Sequence, residues 1–255
     1  LPAEFVDNVK RVCHAKGELW LNRLPEAVNE LESVWGIETD GHFSNLTYNF
    51  VAPAALKDGS RAVLKIGLPV DDFEIYSEAE FLRLADGKGA VKLLAEDRTR
   101  RAMLLERLEP GCDLKQSYGE DRHAMVRTAA RVLQRTVTEA PGKHEFLIDL
   151  DCWFEKLHDT DHGDFPQGHM EKAGKIAGRR EAEAVKLIHG DFHHTNILSK
   201  GAQDFMVIDP KGVIGDVRYD IGVFLNNHLW YAEPGREHRA EMDEAVKEFA
   251  EQFGF

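Results

Sequence analysis

The sequence predicts an α+β chain in two lobes, a small antiparallel-sheet N-lobe followed by a larger, mainly helical C-lobe. Three observations predict it. Short strand-like apolar runs crowd into residues 42–66 and 90–106. Pro110-Gly111 then punctuates the chain, which sets the expected boundary between lobes at residues 1–107 and 108–255. Beyond it, apolar stripes over 119–139 and 237–253, an apolar-rich piece over 147–158 and a run of charged and small residues over 171–186 read as helices.

Residues 3–15 carry Phe5, Val6, Val9 and Val12 at helical spacing. Residues 17–35 carry Trp20, Leu21, Leu24, Val28, Leu31 and Trp35, a second helical region expected to be interrupted near Pro25. Residues 42–51 alternate apolar and polar, which reads as strand–turn–strand. Lys57-Asp58-Gly59-Ser60 is a turn, and residues 62–66 form a buried strand containing Lys65. A lysine there must find a partner or, on an edge strand, reach water. In the next helix, residues 77–85, Glu78 shares a face with Phe81, Leu82 and Ala85, whereas Glu80 sits with Leu84. Glu78 is therefore the carboxylate expected to point inward. Residues 90–94 and 101–106 read as two antiparallel strands joined by a charged turn.

In the second lobe, residues 119–139 carry an apolar stripe that includes Val126, Ala130 and Leu133, and Pro141-Gly142 ends it. Residues 147–158 and 171–186 are expected to be helical, the latter leading into an apolar run at Leu187-Ile188. Residues 211–220 read as loop, with Asp220 as N-cap of a following helix and as a hydrogen-bond partner for the loop after Ile188. In residues 237–253, Met242, Val246, Phe249 and Phe253 are expected on one side of a helix.

Composition narrows the function. The 255 residues are 43% hydrophobic and 30% charged, ordinary for a folded chain and adequate for a core. The formal net charge is −13, from 45 acidic and 32 basic residues, with no basic run to hold a phosphodiester backbone, so no nucleic-acid partner is expected. An acidic surface favours a cationic small-molecule substrate and also serves solubility. Cys13, Cys112 and Cys152 are scattered without paired spacing. No apolar run approaches the roughly 20 residues that span a bilayer, and Leu1-Pro2-Ala3-Glu4 shows no secretory leader. A cytoplasmic protein without membrane partner is the expectation. The sequence sets no oligomeric state. His158 and His162 have helical i,i+4 spacing, but they sit in an acidic, turn-like stretch without Cys-x-x-Cys, so structural zinc is not expected.

The chemistry concentrates in His189-Gly190-Asp191-Phe192-His193-His194-Thr195-Asn196 and, after a second apolar run, Asp209-Pro210-Lys211-Gly212. Separately, these are a turn, a helix cap and a strand end. Together, their order and spacing are similar to a kinase catalytic loop followed by its metal-binding Asp. Phosphoryl transfer needs an aligned hydroxyl, a held divalent cation and neutralised phosphate oxygens. Asp191 is suited to accept a hydrogen bond from the attacking hydroxyl. Asn196 offers a neutral carbonyl oxygen and Asp209 a hard anionic one, which Mg²⁺ prefers. His189 is grouped with the catalytic loop as a brace of its backbone rather than as a proton carrier. The strand context Ala62-Val63-Leu64-Lys65 resembles the kinase pattern in which a lysine pairs with nucleotide phosphates and with a helix Glu.

These segments, with Asp86-Gly87-Lys88-Gly89-Ala90-Val91-Lys92-Leu93-Leu94 and Leu104-Leu105-Glu106-Arg107-Leu108-Glu109-Pro110-Gly111, resemble the aminoglycoside phosphotransferase family of protein-kinase-like fold. The resemblance is to its branch of streptomycin 6-kinases and hydroxyurea kinases, and Asp209-Pro210-Lys211-Gly212 is its most specific mark. It implies Asp191 as catalytic base, Asn196 and Asp209 as Mg²⁺ ligands, Lys65 as phosphate binder and Glu78 as its orienter. Glu106 and Leu108 are expected, from position, to meet the nucleotide base through their backbone. The cofactors implied are ATP, with GTP as the alternative, and Mg²⁺. The activity implied is transfer of the γ-phosphate to an antibiotic hydroxyl. The alternatives are a metabolite kinase of the same fold and a nucleotide-binding regulator without turnover.

Overall fold

The computed structural model describes residues 1–70, 73–159, 166–177, 185–230 and 239–254. The helical i,i+4 spacing noted for His158 and His162, with most of the acidic stretch around it, falls outside the described residues.

Helix α1 spans Ala3–Trp35, but its continuity is broken at His14, whose φ of 49° and ψ of −128° are non-helical. A straight helix would separate Phe5 from Trp20 by about 22 Å. Their ring centroids are instead 6.2 Å apart, and a Cβ on Gly17 would lie 2.6 Å from the Val9 carbonyl oxygen. The two arms thus fold against each other at His14. The break expected near Pro25 does not occur; that proline lies inside the second arm.

Five antiparallel strands follow: β1 (Ile37–Thr39), β2 (Phe50–Leu56), β3 (Arg61–Ile66), β4 (Leu93–Asp97) and β5 (Ala102–Glu106), in the order β1-β2-β3-β5-β4. Strand–turn–strand over 42–51 is not what forms. Residues 40–49 are irregular, and Phe43 and Leu46 pin that loop to the core instead of alternating across a sheet. Pro53 obscured β2, because it donates no ladder hydrogen bond. Strand β4 starts at Leu93 rather than residue 90. Ala90 bridges to Val207, and the Val91 N–H donates to the Val207 carbonyl at 2.9 Å, sewing this segment to the second half of the chain. Helix α2 (Glu74–Ala85) joins β3 to β4 and buries Ile75, Phe81 and Leu82.

Pro110-Gly111 ends the first sheet but opens β6 (Pro110–Asp113), which pairs with β10 (Ile197–Lys200); β10 also pairs with β11 (Asp204–Val207). Helices α3 (Leu114–Tyr118) and α4 (Arg122–Thr136) follow, each with an Asp cap, Asp113 and Asp121, accepting a backbone N–H. A third sheet has the order β7 (Thr138–Glu139), β9 (Val185–Ile188), β12 (Val213–Asp216), β8 (Ile148–Asp149). Helices α5 (Leu150–Asp159), α6 (Gln167–Ala177), α7 (Arg218–Trp230) and α8 (Arg239–Phe253) complete the described chain.

Three expectations change here. Residues 185–186 belong to strand β9, not to the helix expected over 171–186. Residues 213–216 are strand, because they pair with both β9 and β8, and α7 begins at Arg218, which places Asp220 inside the first turn rather than at the N-cap. On α8, Ala245 and Phe249 are buried, while Val246 is exposed. A large apolar cluster runs from α2 and β5 through α4 to α7 and α8; a second one packs α1 under the first sheet. Among the described residues no helix is long and apolar enough to cross a membrane.

Candidate active site

Strand β9 ends at Ile188, and the chain turns through Gly190, at φ 83°, to Asp191. A 3-10 turn over His194–Asn196 then feeds β10. The β10–β11 hairpin pairs Ile197 with Val207, so the chain returns beside its own start. The Ile208 N–H donates to the Asn196 carbonyl at 2.9 Å, which brings Asp209 next to the turn that carries Asn196. Hairpin register, rather than sequence proximity, unites the two halves of the motif.

His189 holds this junction. Its ring is fully buried; Nε2 lies 2.9 Å from the Ile208 carbonyl oxygen, and Nδ1 accepts the Asp191 N–H at 3.2 Å. A carbonyl can only accept, so Nε2 carries the proton and Nδ1 is the bare nitrogen. Burial, which disfavours the imidazolium, pulls the pKa down to about 4 against the opposing pull of Ile208 and nearby carboxylates. His189 is thus a neutral brace with both nitrogens occupied. Asp220 supplies the other clamp, accepting the His189 and Gly190 N–H groups at 2.8 Å each. Burial raises its carboxyl to about 7, while the two N–H donors favour the anion.

Lys65 lies in β3 between β2 and β5, not on an edge, and its residue is 4% exposed. Its Nζ donates to Glu78 Oε2 at 2.6 Å and is ion-paired with Asp209. Glu78 is 3% exposed and keeps Oε1 buried without a protein partner. Burial opposes the lysine's charge, but the two carboxylates outweigh it and raise the Lys65 pKa above its ordinary value. Burial raises Glu78 to about 8, with Lys65 pulling the other way. Desolvation also works against the Asp209 anion, but Lys65 prevails and holds that carboxyl below its usual range. About half of the Asp209 side chain is accessible, and its φ of 61° is one that non-glycine residues rarely adopt.

Helix α2 is tied down along its length. Lys211 is ion-paired with Glu74 in the first turn, and the Ser77 hydroxyl donates to the Phe146 carbonyl. Glu80, which does not meet Lys65, accepts the Phe146 N–H at 2.9 Å. Gly212, at φ 63°, has room for no Cβ, since one would lie 2.6 Å from the Ser77 carbonyl oxygen. The segment after Asp209 is therefore wedged beneath the helix that carries Glu78.

Asp191 has a partly accessible side chain, and His193 Nε2 stands 3.6 Å from its Oδ1. The Asn196 Nδ2 donates to the Asp191 carbonyl at 3.0 Å and lies 3.1 Å from His193 Nε2. With its nitrogen so engaged, the amide has Oδ1 left to offer a cation. Asn196 Oδ1 and the accessible Asp209 carboxylate offer two oxygen donors, too few to cage a cation by themselves. The pair fits Mg²⁺, which keeps water and phosphate oxygens among its ligands. Among the described residues no cluster of three or more His, Cys, Asp or Glu could hold a metal.

Glu106 ends β5; its N–H donates to the Lys92 carbonyl at 2.9 Å and its side chain pairs with Lys200 at 2.5 Å. Leu108 is buried just before β6. The sequence reading did not single out His193, Lys211, Trp153 or Tyr219. Lys211 and His193 lay within the quoted motifs, whereas Trp153 of α5 approaches Gly190 and packs on Tyr219 of α7, and no spacing rule reports that.

The model of the aminoglycoside/hydroxyurea antibiotic resistance kinase family matches residues 34–247. The chain is similar to a hydroxyurea phosphotransferase of Kitasatospora aureofaciens, 30% identical over 92% of this chain and 70% of that protein. It is also similar to a streptomycin 6-kinase of Streptomyces glaucescens, 29% identical over 89% and 75% of the respective chains. Among solved structures, an amicoumacin kinase in complex with AMP-PNP, Ca²⁺ and amicoumacin matches with a TM-score of 0.65 at 15% identity, covering 92% of this chain and 79% of that one. An aminoglycoside-3'-phosphotransferase of type VIII matches at 0.59 and 15% identity, over 91% and 93%. The fold is thus the two-lobed protein-kinase-like one, and with a family match across most of its length the chain belongs to the aminoglycoside/hydroxyurea antibiotic resistance kinases.

Proposed function

We propose that this kinase transfers the γ-phosphate of ATP to a hydroxyl of a small antibiotic, a streptomycin-type aminoglycoside or hydroxyurea. The observation that carries the reading is the meeting of Lys65, Glu78 and Asp209, with Nζ 2.6 Å from Glu78 Oε2 and ion-paired with Asp209. A buried lysine between two carboxylates, one of them accessible, is the apparatus for holding phosphates beside a divalent cation. The similarity to a hydroxyurea phosphotransferase and a streptomycin 6-kinase supports the substrate class.

In this reading residues 1–107 form the nucleotide-binding lobe and residues 108–255 the catalytic and acceptor lobe of a cytoplasmic enzyme. Lys65 contacts phosphate oxygens and Glu78 keeps it aimed. The Glu106–Leu108 backbone borders the base. Asn196 and Asp209 hold Mg²⁺, which when bound neutralises charge on the β- and γ-phosphate oxygens. Asp191 accepts a hydrogen bond from the acceptor hydroxyl and takes its proton as the new O–P bond forms and the bond to the ADP oxygen breaks. His189 and Asp220 keep the Asp191 backbone in place. ATP is the donor in this reading, with GTP as the alternative.

The test is ATP consumption with Mg²⁺ across streptomycin, other aminoglycosides, hydroxyurea and hydroxylated metabolites, with products identified by mass spectrometry. Asp191→Ala should lower turnover by about 100-fold or more, the size of a general-base and alignment effect. Asp209→Ala should abolish divalent-dependent turnover; full activity in that variant would remove Asp209 from the metal site. Nucleotide binding without turnover, indifferent to Asp191→Ala, would favour a regulator.

A further inference from the structure

The ring of His193 lies between the side chains of Asp191 and Asn196. Its Nε2 is 3.1 Å from Asn196 Nδ2 and 3.6 Å from Asp191 Oδ1, and its Nδ1 is 3.0 Å from the Thr195 hydroxyl oxygen. Distance sorts these contacts. At 3.6 Å the Asp191 carboxylate is beyond hydrogen-bond reach, whereas Asn196 and Thr195 are within it. An amide nitrogen has two hydrogens to donate and accepts none. One hydrogen of Asn196 goes to the Asp191 carbonyl at 3.0 Å, which fixes which end of the amide is nitrogen. The other goes to His193 Nε2. That ring nitrogen is therefore the bare one, and Nδ1 donates to Thr195. His189, four residues earlier, has the opposite tautomer.

A ring beside a turn is often only a brace for its backbone. Here the backbone is held without it. The Asn196 N–H donates to the His193 carbonyl at 3.0 Å, and the Asn196 carbonyl accepts the Ile208 N–H at 2.9 Å. What the ring adds acts on the Asn196 side chain alone. A primary amide held by one hydrogen can still swing about that bond. Held by both, its plane is fixed, and with it the direction of Oδ1. Asn196 is 7% exposed, which leaves water little access to take the ring's place.

We propose that His193 is a positioning residue for the divalent cation: by taking the second amide hydrogen it holds Asn196 Oδ1 in the ligating direction, and Thr195 keeps the ring in the tautomer that accepts. The proposal rests on the phosphotransfer reading above, in which Asn196 is a metal ligand, and adds to it a residue that acts through that ligand rather than on the cation.

The experiment is Mn²⁺ binding to the AMP-PNP complex, read by electron paramagnetic resonance of the free ion. The proteins are the wild type, Asn196→Ala, His193→Leu, His193→Gln and Thr195→Val, and AMP-PNP affinity in chelator is measured alongside. His193→Leu should weaken Mn²⁺ binding about tenfold, the scale of a lost partner behind a metal ligand, and leave the metal-free AMP-PNP affinity unchanged. His193→Gln, whose Oε1 accepts the same hydrogen, should bring Mn²⁺ affinity back to within about threefold of the wild type. Thr195→Val, which keeps the ring and removes the partner that sets its tautomer, should cost less than His193→Leu. Unaltered Mn²⁺ affinity in His193→Leu overturns the proposal, as does a His193→Gln variant as impaired as His193→Leu. So does a matching loss of metal-free AMP-PNP affinity, which reports a distorted cleft. The two ideas fail separately. Loss of Mn²⁺ in Asn196→Ala but not in His193→Leu ends the positioning role and leaves the phosphotransfer reading. A wild type that consumes no ATP with any acceptor of the panel, while His193→Leu still releases Mn²⁺, does the reverse.

Discussion

His189 shows how much one side chain settles. Its two nitrogens join the end of the first apolar run to the end of the second, through Asp191 N–H and the Ile208 carbonyl. That bonding admits one tautomer and no extra proton. The folded pKa of about 4 lies below the ordinary 6.5 of an unfolded chain. Between those values the unfolded state binds more protons, so stability falls as pH drops from about 6.5 towards 4. Denaturant midpoints measured across that window should decline, and His189→Gln should flatten the slope. At neutral pH the same variant should cost about 1–3 kcal/mol, since it leaves buried polar groups without a well-placed partner. A slope unchanged by the substitution would place the acid sensitivity elsewhere.

At the scale of elements, α2 matters most. Its inward Glu78 was legible because helical spacing put that carboxylate on the face of Phe81 and Leu82. Its fastening was not legible, because Glu74 meets Lys211 and Glu80 meets Phe146 across long sequence gaps. Lys211 sits two residues beyond Asp209, so the pair couples the pose of α2 to that of Asp209. Lys211→Glu or Glu74→Lys alone should lower kcat a few-fold, the scale of a partly exposed ion pair. The exchanged double variant should recover most of the loss in a double-mutant cycle. Failure of the exchange to rescue would mean that Lys211 acts on a ligand instead. Three of the strands misjudged from sequence share a cause. Strands β2, β6 and β12 carry Pro53, Pro110-Gly111 and Gly215, local breaker signals that tertiary pairing overrode. At His14, by contrast, the packing of Phe5 on Trp20 bends a chain that has no breaker there.

For the whole molecule, the fold and the two segments that meet at the β10–β11 hairpin were readable because their residue types follow a kinase-like order. Asp191, Asn196 and Asp209 announced themselves that way, and Lys65 did so by standing charged in an apolar strand. The acceptor side stayed silent. Trp153 and Tyr219, 5.8 Å apart from separate helices, read from sequence as core, since no spacing rule pairs residues across helices.

In the proposed function, where Lys65 contacts phosphate oxygens, its ion pair with Asp209 puts an internal carboxylate in the place a phosphate oxygen would take. On that reading a triphosphate would displace the stand-in, and a divalent ion held by Asp209 would give that carboxylate another partner. Neutralising the mimic should therefore separate affinity from turnover. Asp209→Asn should bind ATP more tightly than the wild type when chelator strips all divalent ions, while remaining inert once they are restored. Equilibrium dialysis with and without chelator would reveal the crossover, and equal metal-free affinity in both proteins would show that the seat was never contested.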